Sequence, residues 1–441
     1  MLSSRRTFLR QLAAGTAVAP FVTRGLFAQS PNGRINHATF GASGMGWSDV
    51  TALAAHPALH VVAACDVDLA RTAEFKKKFP DARIYQDYRE LLEKERDLQS
   101  VNVSVPDHMH APIGLAALRR GLHLYGQKPL THDLYETRRL TEFAREKKAV
   151  TQMGIQIHSG SEYRTAVQLI HDGAIGKVKE VHTWSSKAWG GAEELPTTTD
   201  PVPEGLDWDL WLGVCAARPF IGGGWYHPGN WRKRLDFGTG TFGDMGCHIF
   251  DPVFGALALT APVSVRSEGA APNAHSWATD AIIHYVFPGT AYTAEKTVPI
   301  AWYDGKQRPP AEIQQLAQDP GDEKSALPDQ GSIFLGTEGV MVLPHIGKPR
   351  LAGAAKDAPV TKVAGEDHWQ QFVKAVLGEG KTSAPFDYAG PLTEAVLLGS
   401  VATRFPQQTL AWDAAALRFT NVAEANAFVR RTYRAGWEDA G

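Results

Sequence analysis

The sequence predicts an α/β protein of two domains, a doubly wound parallel sheet followed by an α+β domain with a large, mostly antiparallel open sheet. Up to about residue 155, short apolar runs alternate with helical patterns, which is typical of βαβ units. The first of these runs ends in a glycine-rich turn. Beyond residue 155 the β-rich segments lengthen and Pro/Gly-rich loops separate them, which indicates antiparallel pairing.

The N-terminal domain is predicted to cover residues 33–155. Its predicted strands are Ile35–Phe40, His60–Cys65, Ile84–Tyr85, Ser100–Val105, His123–Tyr125 and Val150–Ile157. The helical patterns between them run from the glycine turn through Ala55 and over Leu69–Phe79, Tyr88–Arg96, Ala111–Arg120 and Leu134–Lys148. This alternation predicts that the strands are parallel.

The C-terminal domain is predicted to cover residues 156–441, and some of its terminal segments are expected to pack back on the first domain. The predicted helices are Glu162–His171, Glu366–Leu377 and Pro391–Arg404. The β-rich segments are Lys177–Lys187, Ala281–Phe287, Ala291–Val298, Ser332–Leu335 and Val340–Leu343. Loops occupy residues 190–240 and 303–330.

The composition is that of a globular protein with a sizeable core. Of the 441 residues, 44% are apolar and 21% are charged, and the formal net charge is −2. These values exclude a disordered or collagen-like chain and argue against a nucleic-acid-binding protein. The cysteines, Cys65, Cys215 and Cys247, are odd in number and far apart, so they predict neither a disulfide framework nor a zinc cluster.

The N-terminus has the features of an export signal. Arg5 and Arg6 precede Phe-Leu and a stretch without charge over residues 11–23. That stretch is too short for a membrane-spanning helix, which needs about 20 apolar residues. With the small residue Ala28 for cleavage, residues 1–30 resemble a twin-arginine signal peptide. We therefore expect a soluble exported protein, periplasmic in a bacterium with two membranes, that is delivered by the twin-arginine machinery.

The glycine-rich turn predicts a dinucleotide site, because the free N–H groups of such a turn can hold a pyrophosphate. The strict motif would have glycine at position 43, where a small serine stands. The candidate cofactor contacts in the turn are Gly41, Ser43, Gly44, Met45 and Gly46. Asp66 follows twenty residues after Gly46, at the end of the next strand, where a carboxylate binds a ribose diol and repels a 2′-phosphate. Since Val67 supplies no cation, NAD is favoured over NADP.

Three further residues suggest the chemistry. Lys128 follows the fifth predicted strand, and Pro129 fixes the backbone after it. A partly desolvated lysine beside a nicotinamide ring would have a lowered pKa and could exchange a proton with a hydroxyl. Asp244 and His248 are four residues apart, so on a helix they share one face and could meet the same hydroxyl.

Together these features resemble the Gfo/Idh/MocA oxidoreductases, the family of glucose–fructose oxidoreductase and inositol dehydrogenase. The resemblance covers nearly everything after residue 33. It rests on the turn at 41–46, Asp66, the motif Val105–His110, Lys128-Pro129 and the pair Asp244 and His248. It implies that Pro106, His110 and Lys128 contact the cofactor, and that the open sheet supplies a substrate wall and a homo-oligomer interface.

The resemblance also implies how the reaction is carried out. Lys128, Asp244 and His248 would surround the reacting carbinol, with Lys128 or His248 as the proton acceptor while hydride passes to the nicotinamide. The family usually has Glu-Lys-Pro where this chain has Gln127-Lys128-Pro129. A neutral amide can neither form an ion pair nor accept a proton.

An aromatic stretch within the long loop at 190–240 suggests a sugar or polyol substrate. Aromatic faces cover sugar C–H surfaces while polar groups bind hydroxyls, although Trp208 and Trp211 also suit a packing role. The candidate substrate contacts are Gln156, His158, Tyr226, Trp231 and Arg232. His108 and His110 form an isolated His-x-His pattern without further ligands, so no metal site is predicted.

Export constrains the reaction, because an exported dehydrogenase meets no pool of free NAD. We therefore expect a tightly bound cofactor that is regenerated within each cycle. Three functions remain open: an oxidoreductase acting on a sugar or polyol carbinol, a redox-neutral NAD-dependent glycosidase, lyase or epimerase using a transient keto-sugar, and a non-catalytic sugar-binding scaffold. The presence of Lys128, Asp244 and His248 argues against the scaffold.

Overall fold

The computed structural model describes residues 33–318 and 326–438, and these form two β-sheets with associated helices. The predicted signal peptide at residues 1–30 lies outside the described residues. Within the described part of the chain, no helix is both long enough and apolar enough to span a bilayer.

The first sheet is parallel throughout. Its strands are β1 (Ile35–Phe40), β2 (Leu59–Cys65), β3 (Arg83–Tyr85), β4 (Ser100–Val103), β5 (His123–Gly126) and β6 (Thr151–Met153). They lie in the order β3-β2-β1-β4-β5-β6. The order reverses between β1 and β4, which leaves a crevice at the carboxyl ends of these strands.

Helices connect these strands and follow the predicted pattern. They are α1 (Met45–Leu53), α2 (Ala73–Lys78), α3 (Tyr88–Lys94), α4 (His110–Arg119) and α5 (Leu134–Glu146). α5 begins at a capping box, in which the Asp133 carboxylate accepts from the N–H of Glu136 and the Glu136 carboxylate accepts from the N–H of Asp133. The helix predicted over Leu69–Phe79 is divided, because Leu69–Thr72 forms a 3₁₀ turn before α2.

The second sheet has nine strands and is antiparallel except for one pair. Its strands are β7 (Val178–Ser185), β8 (Ser264–Glu268), β9 (Ile282–Pro288), β10 (Thr297–Asp304), β11 (Gly331–Gly336), β12 (Val340–Pro344), β13 (Arg350–Ala352), β14 (Thr409–Asp413) and β15 (Arg418–Phe419). The order is β13-β12-β11-β7-β10-β9-β8-β14-β15, with β7 and β10 parallel. The predicted fold class is therefore confirmed.

The helices of this second part pack on the sheet and on the first domain. They are α6 (Ser161–His171), α7 (Trp208–Leu212), α8 (Gly240–Ile249), α9 (Asp251–Ala256), α10 (Ala311–Leu316), α11 (His368–Val376) and α12 (Phe386–Ala402). α11 packs on α1, where its Phe372 and Val373 share a buried cluster with Val50 and Leu53. α12 packs on both α5 and α8, so it joins the two domains.

Three predicted boundaries are wrong. β6 ends at Met153, before the residues predicted to continue it to Ile157. β10 lies after the predicted Ala291–Val298, because residues 289–296 form a loop in which the Thr293 hydroxyl accepts from the N–H of Thr290. α12 begins at Phe386, whereas the sequence predicts its start at Pro391. The helix continues through this proline, and most residues of α12 are buried, so tertiary packing stabilises the helix there.

Candidate active site

A cavity of about 430 Å³ lies over the carboxyl ends of β1 and β4. Its lining includes the glycine turn, the residues that follow β4 and β5, and side chains from the second domain. The crevice that the strand order creates is therefore closed on one side by the loop and helix that carry Trp231, Arg232, Asp244 and His248. This is where ligands bind in open α/β sheets.

The glycine turn depends on two close backbone contacts. A Cβ atom at Gly41 would lie 2.4 Å from the carbonyl oxygen of Ser104, and φ at Gly41 is +94°. A Cβ atom at Gly46 would lie 2.2 Å from the carbonyl oxygen of Gly41. Because only glycine fits at both positions, the turn and the start of α1 can lie against the end of β4. Gly46 packs behind the turn and is not among the residues that line the cavity.

The turn presents hydrogen-bond donors and a cation to the cavity. No side chain of the described residues caps the N-terminus of α1, so the N–H groups of Met45 and Gly46 remain available to an anion. The Asp66 carboxylate accepts from the N–H groups of Ala42 (2.9 Å) and Asp68 (3.0 Å), which fixes it beside the turn. Arg71 also lines the cavity, and its Nε donates to Ser43 Oγ at 2.9 Å. Arg71 is five residues beyond Asp66 and belongs to no motif, so its position in the cavity is not predictable from the sequence.

Lys128 and Asp244 meet in the cavity. Lys128 Nζ lies 2.5 Å from Asp244 Oδ1 and 2.8 Å from the Asp244 carbonyl oxygen. Trp189 Nε1 donates to the other carboxylate oxygen at 2.8 Å, and Arg232 Nε lies 3.3 Å from Oδ1. Both side chains of the ion pair are only 13% exposed. The sequence contains no pattern that would have identified Trp189.

The surroundings of Asp244 and His248 leave the carboxylate ionised and the imidazole neutral. Burial alone would raise the pKa of Asp244, but the charges of Lys128 and Arg232 hold it well below its usual range, so Asp244 is ionised. Burial, and next the charge of Lys128, lower the pKa of His248 well below its ordinary value, so this imidazole is neutral. The His248 ring makes no hydrogen bond with any residue in the described ranges, and its Nδ1 is buried. A neutral imidazole without a partner can accept a proton from a ligand hydroxyl.

Behind Lys128 lies a fully buried carboxylate, Asp49 of α1. Its Oδ2 accepts from Gln127 Nε2 (2.9 Å) and from Ser104 Oγ (2.8 Å), and its Oδ1 accepts from Trp369 Nε1 (2.9 Å). Gln127 Oε1 in turn accepts from the N–H of Lys128 at 3.3 Å. Asp49 therefore connects the glycine-turn helix, the ends of β4 and β5, and α11.

This carboxylate predicts a pH dependence of stability. Burial raises the pKa of Asp49 to about 6, although its three hydrogen-bond donors oppose the rise, whereas an unfolded aspartate titrates near pH ~3.9. The folded protein therefore holds a proton that the unfolded chain has lost, and the associated stability is complete below about pH 4 and lost as the pH rises to about 6. Relative to wild type, we expect the free energy of unfolding of Asp49→Asn to rise by about 2 to 3 kcal/mol between pH 4 and pH 7.

Urea unfolding of both proteins at several pH values measures this difference. The comparison cancels the contributions of other buried acids, because they are common to both proteins. A difference in unfolding free energy that stays constant from pH 4 to pH 7 would show that Asp49 does not titrate as described.

The structure brings most of the predicted site residues together and separates a few. The cavity lining contains the following predicted residues: Gly41, Ser43, Gly44, Met45, Asp66, Pro106, His110, Lys128, Trp231, Arg232, Asp244 and His248. Three predicted substrate contacts are not among the lining residues: Gln156, His158 and Tyr226. These three interact with protein groups instead.

Their partners explain why they lie elsewhere. His158 Nδ1 is 3.0 Å from the Asp251 carboxylate, between the rings of Tyr163 and Tyr388. Gln156 Nε2 lies 3.4 Å from the Tyr125 hydroxyl. Tyr226 is 2% exposed and belongs to an aromatic cluster with Trp208, Trp211 and Phe237. Trp211 and Trp231 belong to the same buried cluster and do line the cavity, so aromatic composition alone does not tell which members of the cluster reach it.

The two histidines of the His-x-His pattern are bound to carbonyl groups. The two ring nitrogens of His110 lie 2.7 and 2.8 Å from the carbonyl oxygens of Pro129 and Val105, so this ring links the ends of β4 and β5. His108 Nε2 is 2.9 Å from the Trp211 carbonyl oxygen, and burial lowers the pKa of His108 to about 3. Across the described ranges, no group of three or more His, Cys, Asp or Glu side chains is arranged to hold a metal ion.

The donor set of the cavity fits a nicotinamide dinucleotide. The glycine turn, in which Gly41 and Gly44 line the cavity without a side chain, lies at a helix N-terminus that no side chain of the described residues caps. Asp66 follows β2, at the position where a carboxylate binds a dinucleotide ribose in this fold, and Lys128 lines the same cavity. The fold and this site define a two-domain protein with a dinucleotide-binding Rossmann domain.

Comparison with known proteins agrees with this class. Residues 35–155 match the family model "Oxidoreductase family, NAD-binding Rossmann fold", and residues 171–293 match "Oxidoreductase family, C-terminal alpha/beta domain". These two models belong to one family and together cover more than half of the chain. The chain belongs to the Gfo/Idh/MocA oxidoreductase family.

Individual relatives match parts of the chain. It is 30% identical over 152 residues to a dTDP-3,4-didehydro-2,6-dideoxy-α-D-glucose 3-reductase from Streptomyces antibioticus, covering 34% of this chain and 46% of the relative. It is 22% identical over 195 residues to the levoglucosan dehydrogenase of Pseudarthrobacter phenanthrenivorans, covering 44% of this chain and 41% of the relative. This chain thus spans less than half the length of these two relatives.

Among solved structures, a levoglucosan dehydrogenase in complex with NADH superimposes with a TM-score of 0.56. The sequence identity is 16%, and the match covers 84% of this chain and 98% of the other. At this identity the likeness concerns the fold.

Proposed function

We propose that the protein is an NAD-dependent oxidoreductase that acts on a secondary alcohol of a sugar or polyol. The observation that carries this proposal is the convergence of Lys128, Asp244 and His248 on one cavity beside the dinucleotide turn. The names of the two sequence relatives, a sugar-nucleotide reductase and a levoglucosan dehydrogenase, support a carbohydrate substrate.

The states of the three side chains suggest their roles. Asp244 is held ionised and keeps Lys128 in place, so Lys128 would donate hydrogen bonds to the substrate oxygen. His248 is neutral and unpartnered within the described ranges, so it would accept the hydroxyl proton. NAD would accept the hydrogen of the carbinol C–H bond as a hydride. Because Lys128 is paired with Asp244 and His248 is neutral, we favour His248 over Lys128 as the general base.

Asp66 is expected to determine the preference for NADH over NADPH. Asp66 would repel a 2′-phosphate, while Arg71 already stands in the same cavity to receive one. We expect Asp66→Ser to reduce the preference for NADH over NADPH by about tenfold or more. The substitution removes the carboxylate that repels the 2′-phosphate, and Arg71 can then donate an ionic hydrogen bond to that phosphate. Fluorescence titration of the protein, freed of any retained cofactor by unfolding and refolding, with the two reduced cofactors measures the ratio of dissociation constants.

The control for this experiment is Asp68→Ser, an acidic neighbour whose carboxylate is 2.8 Å from His227 Nε2. It should leave the ratio unchanged. An unchanged ratio in Asp66→Ser would remove Asp66 from the specificity determinants.

We further propose that the protein is exported through the twin-arginine pathway with its cofactor bound. The support is the Arg5-Arg6 motif at the N-terminus together with the cavity between the two domains. A bound cofactor that cannot exchange favours reactions in which it is regenerated, either by reducing a second sugar or by a redox-neutral elimination or epimerisation through a keto-sugar.

The decisive experiment uses the protein as purified, after extensive dialysis. Nicotinamide absorbance and fluorescence would reveal retained cofactor, and anaerobic incubation with a panel of sugars, polyols and glycosides would follow the cofactor signal and the products together. A ketone or lactone indicates net oxidation, whereas a cleaved or epimerised sugar without net NADH indicates redox neutrality. Protein without a nicotinamide signal that turns over only with added NAD would contradict the bound-cofactor proposal.

A further inference from the structure

A second cavity, of about 410 Å³, lies apart from the candidate active site. No described residue lines both cavities. Its walls come from the start of α5, the segment before α8, the C-terminal part of α12 and the chain around residues 427–432. Apolar and aromatic groups, including Trp277, Phe428 and Leu397, form part of the lining.

Several polar atoms facing this part of the fold lack partners. Ser400 is 5% exposed, and its hydroxyl makes no hydrogen bond within the described ranges. His132 Nε2 and Arg431 Nη1 are also buried and unpartnered there. Leaving such groups without hydrogen bonds costs free energy in each case, so a polar ligand in this cavity would be stabilised by bonding to them.

The cavity also has an unpaired positive charge. Arg404 lines it and forms no ion pair or hydrogen bond through its guanidinium with any residue that the structure describes. Its guanidinium carbon lies 4.9 Å from the Trp277 ring centre and 4.4 Å from that of Phe428, which fixes its position. Burial lowers the pKa of Arg404 to about 10, so it remains charged at neutral pH.

The acidic side chains at this cavity, Asp133 and Asp236, accept hydrogen bonds from groups other than the Arg404 guanidinium. Asp133 accepts from the N–H groups of Glu136 (2.7 Å) and Arg431 (3.0 Å). Asp236 is paired with the Arg218 guanidinium. Neither carboxylate therefore neutralises Arg404 by direct contact, and two guanidinium groups with free N–H donors remain.

We propose that this second cavity binds a small organic anion whose carboxylate or phosphate group lies between Arg404 and Arg431. The Ser400 hydroxyl and His132 would complete the hydrogen bonds to the anionic group. Trp277 and Phe428 would contact the body of the ligand, and a cavity of this size admits a molecule as large as a sugar acid or sugar phosphate.

Isothermal titration calorimetry of the full chain tests this proposal with inorganic phosphate and with gluconate, both in chloride buffer. We expect saturable binding of at least one anion. Arg404→Met keeps much of the side-chain volume but removes the charge, and should weaken binding by about tenfold or more. Arg145→Met, which removes an exposed arginine paired with Asp387, is the matched control and should change nothing.

Phosphate can also bind at the glycine turn, but this binding contributes equally to the heat measured for wild type and for Arg404→Met. If Arg404→Met fails to fold, as judged by circular dichroism, Ser400→Ala replaces it and should weaken binding with an unchanged urea midpoint. Absence of binding by both anions, equal affinity in wild type and the cavity variant, or equal loss in Arg145→Met would overturn the proposal. Binding of phosphate but not gluconate, or the reverse, supports it and defines the anionic group.

Discussion

Replacing Lys128 with methionine is expected to slow the reduction of bound NAD by about 10²- to 10⁴-fold, the range over which a positioned proton donor or acceptor contributes to catalysis. Methionine keeps much of the length of the side chain but removes the ammonium group, which lies 2.5 Å from Asp244 Oδ1. The substrate oxygen would lose its charged donor. The pKa of Asp244 would also rise, because the lysine charge is the largest influence that lowers it against burial.

The measurement is single-turnover reduction of bound NAD by whichever substrate the panel identifies. NADH fluorescence in the same variant reports whether the cofactor site survives. Lys356→Met, at an exposed lysine, is the matched control and should retain wild-type turnover. Wild-type turnover in Lys128→Met with unchanged cofactor affinity would refute the catalytic assignment.

The sequence predicted the architecture well because periodicity and strand-end residues are local signals. The alternation of apolar runs and helical patterns predicted the parallel sheet, and chain order then placed Gly41, Asp66 and Lys128 at one edge of it. Four-residue spacing correctly placed Asp244 and His248 on one helix. Each of these inferences needs only neighbours in the chain.

The inferences that failed depend on contacts between distant segments. His158 is a plausible ligand by residue type, but it lies beside Asp251, 93 positions away. Arg71 and Trp189 reach the site from segments without any motif. The sequence does not predict β8 and β14 either, because each is only five residues long and contains few strongly apolar residues. Their pairing with each other, and that of β8 with β9, defines them more than their composition does.

The largest effect on stability is expected at Gln127, whose side-chain amide donates to the buried Asp49 carboxylate. Gln127→Glu would place a second carboxylate within hydrogen-bond distance of the fully buried Asp49. The two acids could share one proton, but ionisation of both would be strongly unfavourable at neutral pH. We expect the free energy of unfolding to fall by about 2 to 4 kcal/mol at pH 7.

The matched variant exchanges the two groups. When Asp49→Asn is combined with Gln127→Glu, the acid and the amide change places. The amide introduced at position 49 can then donate to the carboxylate introduced at position 127, which still accepts from the N–H of Lys128. Urea unfolding of wild type, both single variants and the double variant forms a double-mutant cycle, in which we expect a favourable coupling of about 1 to 3 kcal/mol. Additive effects would mean that Asp49 does not respond to the charge at position 127. A favourable coupling would show that the site behind Lys128 holds one buried carboxylate. In this protein Asp49 of α1 provides that carboxylate, and Gln127 provides the amide that bonds to it.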